Sequence, residues 1–245
     1  MYRKIQELEE VRKTMFKKKT KTSKKNFLVT ITKPKSPFAE QYRTVRTNIQ
    51  FSSIDHVIQT IIVTSSEPSE GKTTTIANLA VTYAQQGKKV LLVDADLRKP
   101  QLHYMYQLEN VNGLSTIIAD NKLLVQVAQK TNIGNLSVLT SGPIPPNPSE
   151  LLSSEKMLKV VSEMKEQFDI ILFDAPPILC VTDAQILSQF CDGTLLVVRR
   201  NQAEKEKVKK AKELLELVNS QILGVILNGT KQEKNSNYYY YGNEE

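Results

Sequence analysis

The chain has 245 residues, enough for one α/β domain with appended ends, and its 40% hydrophobic and 24% charged content is ordinary for a globular protein. No apolar run approaches the roughly 18 to 20 residues of a membrane span, and no secretory signal follows Met1. Two cysteines are too few for a disulfide framework and no Cys/His cluster suggests zinc, so Cys180 and Cys191 are expected as small buried residues.

The net charge of +7 sits at one end. Residues 1–25 hold ten Lys/Arg against three Glu, and the remaining 23 basic and 23 acidic residues cancel. Within that arm, Ile5, Leu8, Val11 or Arg12, Met15 and Phe16 recur at roughly helical intervals ahead of the run K-K-K-T-K-T-S-K-K. A short amphipathic helix with a basic patch suits an anionic membrane surface or a partner; a solvated extension has the same composition.

Beyond the arm, helical patterns at 38–52, 72–87, 154–167, 182–190 and 203–219 separate apolar runs at 59–65, 89–95, 135–141, 168–175, 193–199 and 221–228. The runs are continuous in Val, Ile and Leu, which predicts strands covered on both faces. Strand and helix in alternation predict an α/β fold with a doubly wound, mostly parallel sheet. The stretch S-G-P-I-P-P-N-P-S-E at 141–150 is a stiff loop, with Ser149 a candidate cap for the turn that follows. The organisation expected is a basic arm at 1–33, a nucleotide-binding domain at 34–230 and a tail at 231–245 that contains Tyr238, Tyr239, Tyr240 and Tyr241 side by side.

The first strand runs into T-S-S-E-P-S-E-G-K-T-T-T, Thr64 to Thr75, and then a helix. Strand, Gly-Lys-Thr and helix make a phosphate-binding loop of the P-loop NTPase type, although Ser66 stands where the pattern wants its first glycine. Backbone N–H groups around Glu70, Gly71, Lys72, Thr73 and Thr74 open a helix whose positive end favours phosphate. Lys72 is placed to reach the β and γ phosphates of ATP, the Thr73 hydroxyl to ligate Mg²⁺, and Gly71 to let the backbone come close. V-D-A-D-L-R ends the second strand with Asp94 and Asp96, and F-D-A-P-P ends another with Asp174. Three carboxylates at carboxyl ends of parallel strands, beside a phosphate loop, suit a hard cation. Arg98 either contacts phosphate or pairs with a carboxylate.

The series T-S-x-x-P-x-E-G-K-T, V-D-A-D-x-R and F-D-A-P-P, over about residues 34–245, resembles the bacterial tyrosine kinases of capsule and exopolysaccharide biosynthesis. The second aspartate segment is shared with septum-positioning and plasmid-partitioning ATPases. Those carry a lysine near the start of the loop, where this chain has Ser66-Glu67-Pro68. The resemblance implies that Asp94 accepts the tyrosine proton while Asp96 and Asp174 serve Mg²⁺. It also implies that Asn228 contacts adenine, though a turn residue would read the same way.

It further implies that the E-x-x-R-x-x-R pattern of Glu40, Arg43 and Arg46 makes subunit contacts of a ring. Read from spacing alone, those three share one helix face and could be a self-paired solvated surface. Autophosphorylation of Tyr238–Tyr241 is implied, and so is a separate membrane-spanning activator, the chain-length regulator of polysaccharide export. The kinase would then be cytoplasmic, held at the inner face of the membrane through that activator. The rivals are a non-kinase ATPase switch and a basic-arm nucleic-acid binder. Neutrality over residues 26–245 argues against the second, so no nucleic-acid partner is expected.

Overall fold

The computed structural model describes residues 28–52 and 57–230, so the amphipathic and basic arm before Leu28 and the tyrosines Tyr238–Tyr241 lie outside the described residues. The chain opens with the short helix α1 (Val29–Thr32) and the helix α2 (Pro37–Phe51). Ser36 starts α2 by accepting the Ala39 N–H, with Pro37 in the first turn where a missing N–H costs nothing. There follow β1 (Thr60–Ser65), α3 (Lys72–Ala84), β2 (Val90–Asp94), α4 (Leu102–Tyr106), α5 (Leu114–Asp120), α6 (Leu124–Val127), β3 (Gln129–Lys130) and β4 (Leu136–Leu139). The second half runs α7 (Pro148–Leu152), α8 (Glu155–Gln167), β5 (Ile170–Asp174), α9 (Asp183–Ser188), β6 (Gly193–Arg199), α10 (Lys205–Leu217) and β7 (Ile222–Asn228).

The strands form one seven-stranded sheet in the order β3-β4-β2-β5-β1-β6-β7. Every pairing is parallel except β3 with β4. Parallel neighbours need a crossover, and the helices that supply it cover both faces. Along β1 and β2 successive residues alternate between two cores. Ile61, Val63, Val90 and Leu92 pack with Ile49 of α2 and Ile76 and Leu79 of α3. Ile62, Leu91 and Val93 pack with Ile118 of α5, Met157 of α8, Leu187 of α9 and Leu215 of α10. Each such aliphatic side chain removed from water contributes about 1.5–3 kcal/mol. The expected doubly wound sheet is therefore present, with β1 inside it.

Three expectations are corrected. β7 is not covered on both faces: it is an edge strand, and its Val225 and Leu227 are 59% and 54% exposed. Cys180 is exposed and Cys191 half-buried, so neither is a fully buried residue. Ser149 does not cap the helix after the proline loop; Asn147 holds that position without a side-chain bond, and the Ser149 hydroxyl donates to Asp183 Oδ1 at 2.8 Å. The helices α4, α5 and α6 and the strand β3 add elements that the apolar pattern did not mark, each only two to seven residues long. At the amino end, Thr30 is buried against α3, its N–H and hydroxyl both donating to Asn78 Oδ1 at 3.1 and 2.9 Å.

Candidate functional site

The carboxyl ends of the parallel strands meet along one edge of the sheet, and the predicted residues fall along it. After β1 the chain turns through Ser66–Gly71 into α3. Two residues of this turn take positive φ, Ser69 at 67° and Gly71 at 94°. Alternation of this kind makes successive backbone N–H groups converge, which is the geometry of an anion-binding nest. Gly71 is needed twice over, for its conformation and for room: a Cβ there would lie 2.1 Å from Asn228 Nδ2.

What holds the turn is Glu70, a carboxylate only 1% exposed. Its Oε2 accepts the Ser66 hydroxyl (2.8 Å) and the Glu67 N–H (2.9 Å), and its Oε1 accepts the Arg199 N–H (3.3 Å). Ser66, buried where the usual pattern has glycine, is therefore one strut of the loop, and the departure from the pattern has a structural cause. Glu70 was expected to offer its backbone to a ligand; the organising role of its side chain was not anticipated, and the five-residue pairing S-E-P-S-E was the available signal. Glu67 is tied outward to Lys207 of α10 at 2.9 Å. Asn228, at the end of β7, donates from Nδ2 to Glu70 O (2.9 Å) and accepts the Gly229 N–H at Oδ1 (2.8 Å). Its amide thus joins the far edge of the sheet to the phosphate loop.

Lys72 and Thr73 stand on the first turn of α3. Lys72 Nζ lies 3.1 Å from Asp96 Oδ2 and 3.4 Å from Asp174 Oδ1, and the Thr73 hydroxyl donates to Asp174 Oδ2 at 2.6 Å. The lysine is nearly enclosed rather than set in an open crevice. Burial works to lower its pKa, but Asp174 and Asp96 outweigh that, and the net shift is upward. Thr74 is half-buried on the same turn. Burial pushes the Asp174 carboxyl up, opposed chiefly by Lys72 and the Thr73 hydroxyl.

Asp94 faces Asp174 across the β2–β5 pairing and is wholly buried. Its Oδ2 accepts the N–H groups of Gln101 and Leu102, both at 2.9 Å, at the entry to α4. Its Oδ1 is buried without a hydrogen-bond partner. Burial, then the neighbouring charge of Asp174, raise its pKa to about 7 against the pull of the two N–H groups and Lys72. Asp96 turns the chain back on itself by accepting the Lys99 N–H at 3.0 Å. Arg98 resolves to the pairing alternative. Its Nε and Nη2 grip both oxygens of buried Asp183 at 2.9 and 3.0 Å.

The donor set fits a nucleotide with a hard divalent cation. Thr73, Asp96 and Asp174 offer oxygen, and one further carboxylate oxygen, on Asp94, is left over. Among the described residues no group of three or more His, Cys, Asp or Glu side chains is arranged to hold a metal alone. A cation served by one or two carboxylates, with phosphate and water supplying the rest, is the habit of Mg²⁺.

The three interface candidates do not form one free face. Glu40 and Arg43 pair at 2.8 Å on the exposed side of α2, and Arg43 also donates to Pro34 O at 2.9 Å. Arg46 turns inward instead, donating to Thr82 O of α3 at 2.9 Å. The basic segment ahead of and along α10 is laced by Lys207–Glu204, Lys209–Glu213 and Lys212–Glu216 pairs, as an exposed helix requires. Among the described residues no helix is long and apolar enough to cross a membrane.

Residues 58–222 match the AAA-domain family. Over 218 residues the chain is 51% identical to Tyrosine-protein kinase YwqD of Bacillus subtilis (strain 168), covering 89% of this chain and 92% of that protein. Its fold is similar to that of the chimerical protein CapA2B2, with a TM-score of 0.80 at 42% identity over 82% of this chain and 89% of that one. It is likewise similar to the kinase domain of the Escherichia coli tyrosine kinase ETK, with a TM-score of 0.81 at 32% identity over 88% and 84% of the two chains.

Proposed function

The chain belongs to the bacterial tyrosine-protein kinases, and from that premise we propose that it uses ATP and Mg²⁺ to phosphorylate Tyr238, Tyr239, Tyr240 and Tyr241 of its own kind. The observation that carries this assignment is Asp94. A tyrosine hydroxyl, with a pKa of about 10, is a poor nucleophile unless its proton has somewhere to go. Asp94 is fixed through one oxygen by two backbone N–H groups while its other oxygen has no partner. It receives the proton as the tyrosine oxygen bonds to the γ phosphorus and the bond to ADP breaks.

Phosphoryl transfer asks the protein for position and charge neutralisation more than for covalent chemistry. The loop N–H groups from Glu70 to Thr74 cradle phosphate oxygens. Lys72 exchanges its carboxylate partners for the β and γ phosphates. Thr73, Asp96 and Asp174 would hold Mg²⁺, which would supply the remaining positive charge. Asn228 serves twice, bracing the loop through Glu70 O and bordering the adenine end.

The same resemblance supports a role in capsular or exopolysaccharide synthesis and export, under a membrane-spanning chain-length regulator that docks on the kinase and holds it at the inner membrane face. It also supports a ring of copies that meet through α2, with Glu40 and Arg43 as its exposed contacts and Arg46 as the residue that seats the helix. The division into an arm at 1–33, a kinase domain at 34–230 and a substrate tail at 231–245 follows from the same assignment.

The test is incubation with ATP and Mg²⁺ followed by mass spectrometry of the tail. Phosphate on Tyr238–Tyr241, and none with the Lys72→Met chain, is the expected result. Release of free phosphate with an unmodified tail would make the protein an ATPase switch instead.

A further inference from the structure

Four of the seven residues from Gly142 to Pro148 are proline, which leaves this loop few backbone torsions to vary. It leaves the sheet from β4, where Leu139 is paired with Val93, the neighbour of Asp94. Its root is stapled to the 109–115 segment. Thr140 Oγ1 donates to Asn112 O (3.0 Å), the Gly142 N–H to Asn110 Oδ1 (2.9 Å) and the Ser115 hydroxyl to Pro143 O (2.8 Å). A Cβ on Gly113 would lie 2.1 Å from Gly142 N, so the two strands of the staple touch. Its far end is held by the Arg98–Asp183–Ser149 group, in which Ser149 Oγ donates to Asp183 Oδ1 and accepts from Arg98 Nη2. Two apolar side chains of this braced structure face solvent, Ile144 in the loop at 62% and Val111 in the stapled segment at 69% exposure.

Position along the edge says what meets them. From β7 to β4 the edge carries Asn228, the phosphate loop after β1 flanked by β6 and β5, Asp174, Asp94 and then the proline loop. In-line transfer puts the attacking oxygen on the side of the γ phosphate opposite the departing ADP. With the phosphates on the loop after β1 and the adenine end toward Asn228, the acceptor enters over β2 and β4.

We propose that Val111 and Ile144 form the acceptor lip of the site, on which the ring of the incoming tyrosine packs, and that its occupant is the Asn237–Tyr241 segment of the tail. This rests on the tail-phosphorylation assignment above and adds the surface that holds the acceptor. A flat ring with one polar atom suits an apolar lip beside a carboxylate: the ring is buried while the hydroxyl reaches Asp94. The reach suffices. The ten residues from Asn228 to Tyr238 extend at most about 33–36 Å. The five strand spacings from β7 to β4 amount to about 24 Å.

The test uses the full chain and a synthetic peptide of residues 237–245 as acceptor. The Val111→Ser/Ile144→Ser variant should raise the KM for that peptide about tenfold, the cost of losing one or two apolar contacts. Its kcat and its KM for ATP should stay within about twofold of the parent, as contacts made equally in ground and transition state require. Val225→Ser/Leu227→Ser, on the distant edge strand, should leave the peptide KM unchanged. An unaltered KM in the lip variant, or an equal rise in the β7 variant, overturns the proposal.

Binding of a fluorescent peptide with all four tyrosines replaced by phenylalanine, measured on ADP-saturated protein, separates the two assignments. Tenfold weaker binding to the lip variant, with no transfer to the tyrosine peptide by the parent, upholds the lip and removes the tail as substrate. Equal binding to both proteins removes the lip.

Discussion

Two loops leave the carboxyl edge of the sheet three strands apart, at 66–71 after β1 and at 140–147 after β4, and each is stiffened chiefly by a different means. The proline loop gains rigidity by giving up N–H groups, which it can spare because it offers an anion nothing. The phosphate loop does this only at Pro68, ahead of its donors. From Ser69 to Thr74 every residue keeps its N–H, and the order comes instead from a buried carboxylate that gathers Ser66, Glu67 and Arg199. Ser69, held at φ 67°, shows that this bracing is strong enough to keep a non-glycine residue in the left-handed region. The stiffening device therefore reports what each loop presents, backbone donors in one case and side-chain surface in the other.

The largest effect expected comes from removing the charge at the centre of the phosphate loop. Lys72→Met should lower tail labelling by at least about 10²–10³-fold, the scale for losing one preorganised positive group. Because Lys72 is paired with two nearly buried carboxylates, the same change should cost on the order of 3 kcal/mol. That cost would appear as a depressed melting midpoint in magnesium-free buffer. Normal labelling by this variant would end the phosphate-loop assignment.

Glu70→Gln comes next. It leaves a buried donor unmet in a loop that relies on three, at a cost of about 1–3 kcal/mol. Calorimetric titration with ADP should show weaker binding by roughly tenfold, the affinity equivalent of about 1.4 kcal/mol. Unchanged affinity would mean that the bracing is dispensable.

The mirror change falls in the other loop. Pro145→Ala with Pro146→Ala should cost about 0.4–1 kcal/mol each through the unfolded chain. It should raise the KM for the 237–245 peptide while leaving ADP affinity alone. Weaker ADP binding in this variant would show that the two loops are not separate devices.

Smallest of all is the exposed Glu40–Arg43 pair, worth about 0–1 kcal/mol to the monomer. Glu40→Ala/Arg43→Ala should melt within a degree or two of the parent and yet sediment as a smaller species. Leaving Arg46 in place matters, because it seats α2 on Thr82 of α3. An unchanged oligomer would return the pair to an ordinary solvated face.

Much of the site was legible because its chemistry is local in sequence. Gly71-Lys72-Thr73 and the aspartates at strand ends carry their signal within a few residues, and the structure brings Lys72 Nζ within 3.1 Å of Asp96 and 3.4 Å of Asp174. What escaped was decided at long range. The acceptor of Arg98 is Asp183, 85 residues away, and nothing near either residue announces the other. Glu70 reads as surface because a carboxylate usually is; only its neighbours' inward-facing donors make burial tolerable. The exposed face of β7 was hidden in an apolar run indistinguishable from that of β1, because strand order, and not composition, puts one at the edge and the other inside. The helices α4, α5 and α6 are shorter than the window over which a helical period can be recognised.

The place of β1 between β5 and β6 also dictates when the protein can first exist as a working molecule. On a ribosome the chain delivers β1 and the phosphate loop early, with no strand on either side. The Thr64 hydroxyl finds its acceptor only when Pro176 arrives, 112 residues on, and the Thr60 hydroxyl meets the Asp192 N–H over a separation of 132. Pairings so distant in the chain carry loop-closure entropy before they return any stability, which makes folding slow. A nascent chain stalled before β6 holds the whole Gly-Lys-Thr signature but lacks one flanking strand of β1 and the Arg199 N–H that Glu70 accepts, so nucleotide should be retained only by chains that have passed Arg199.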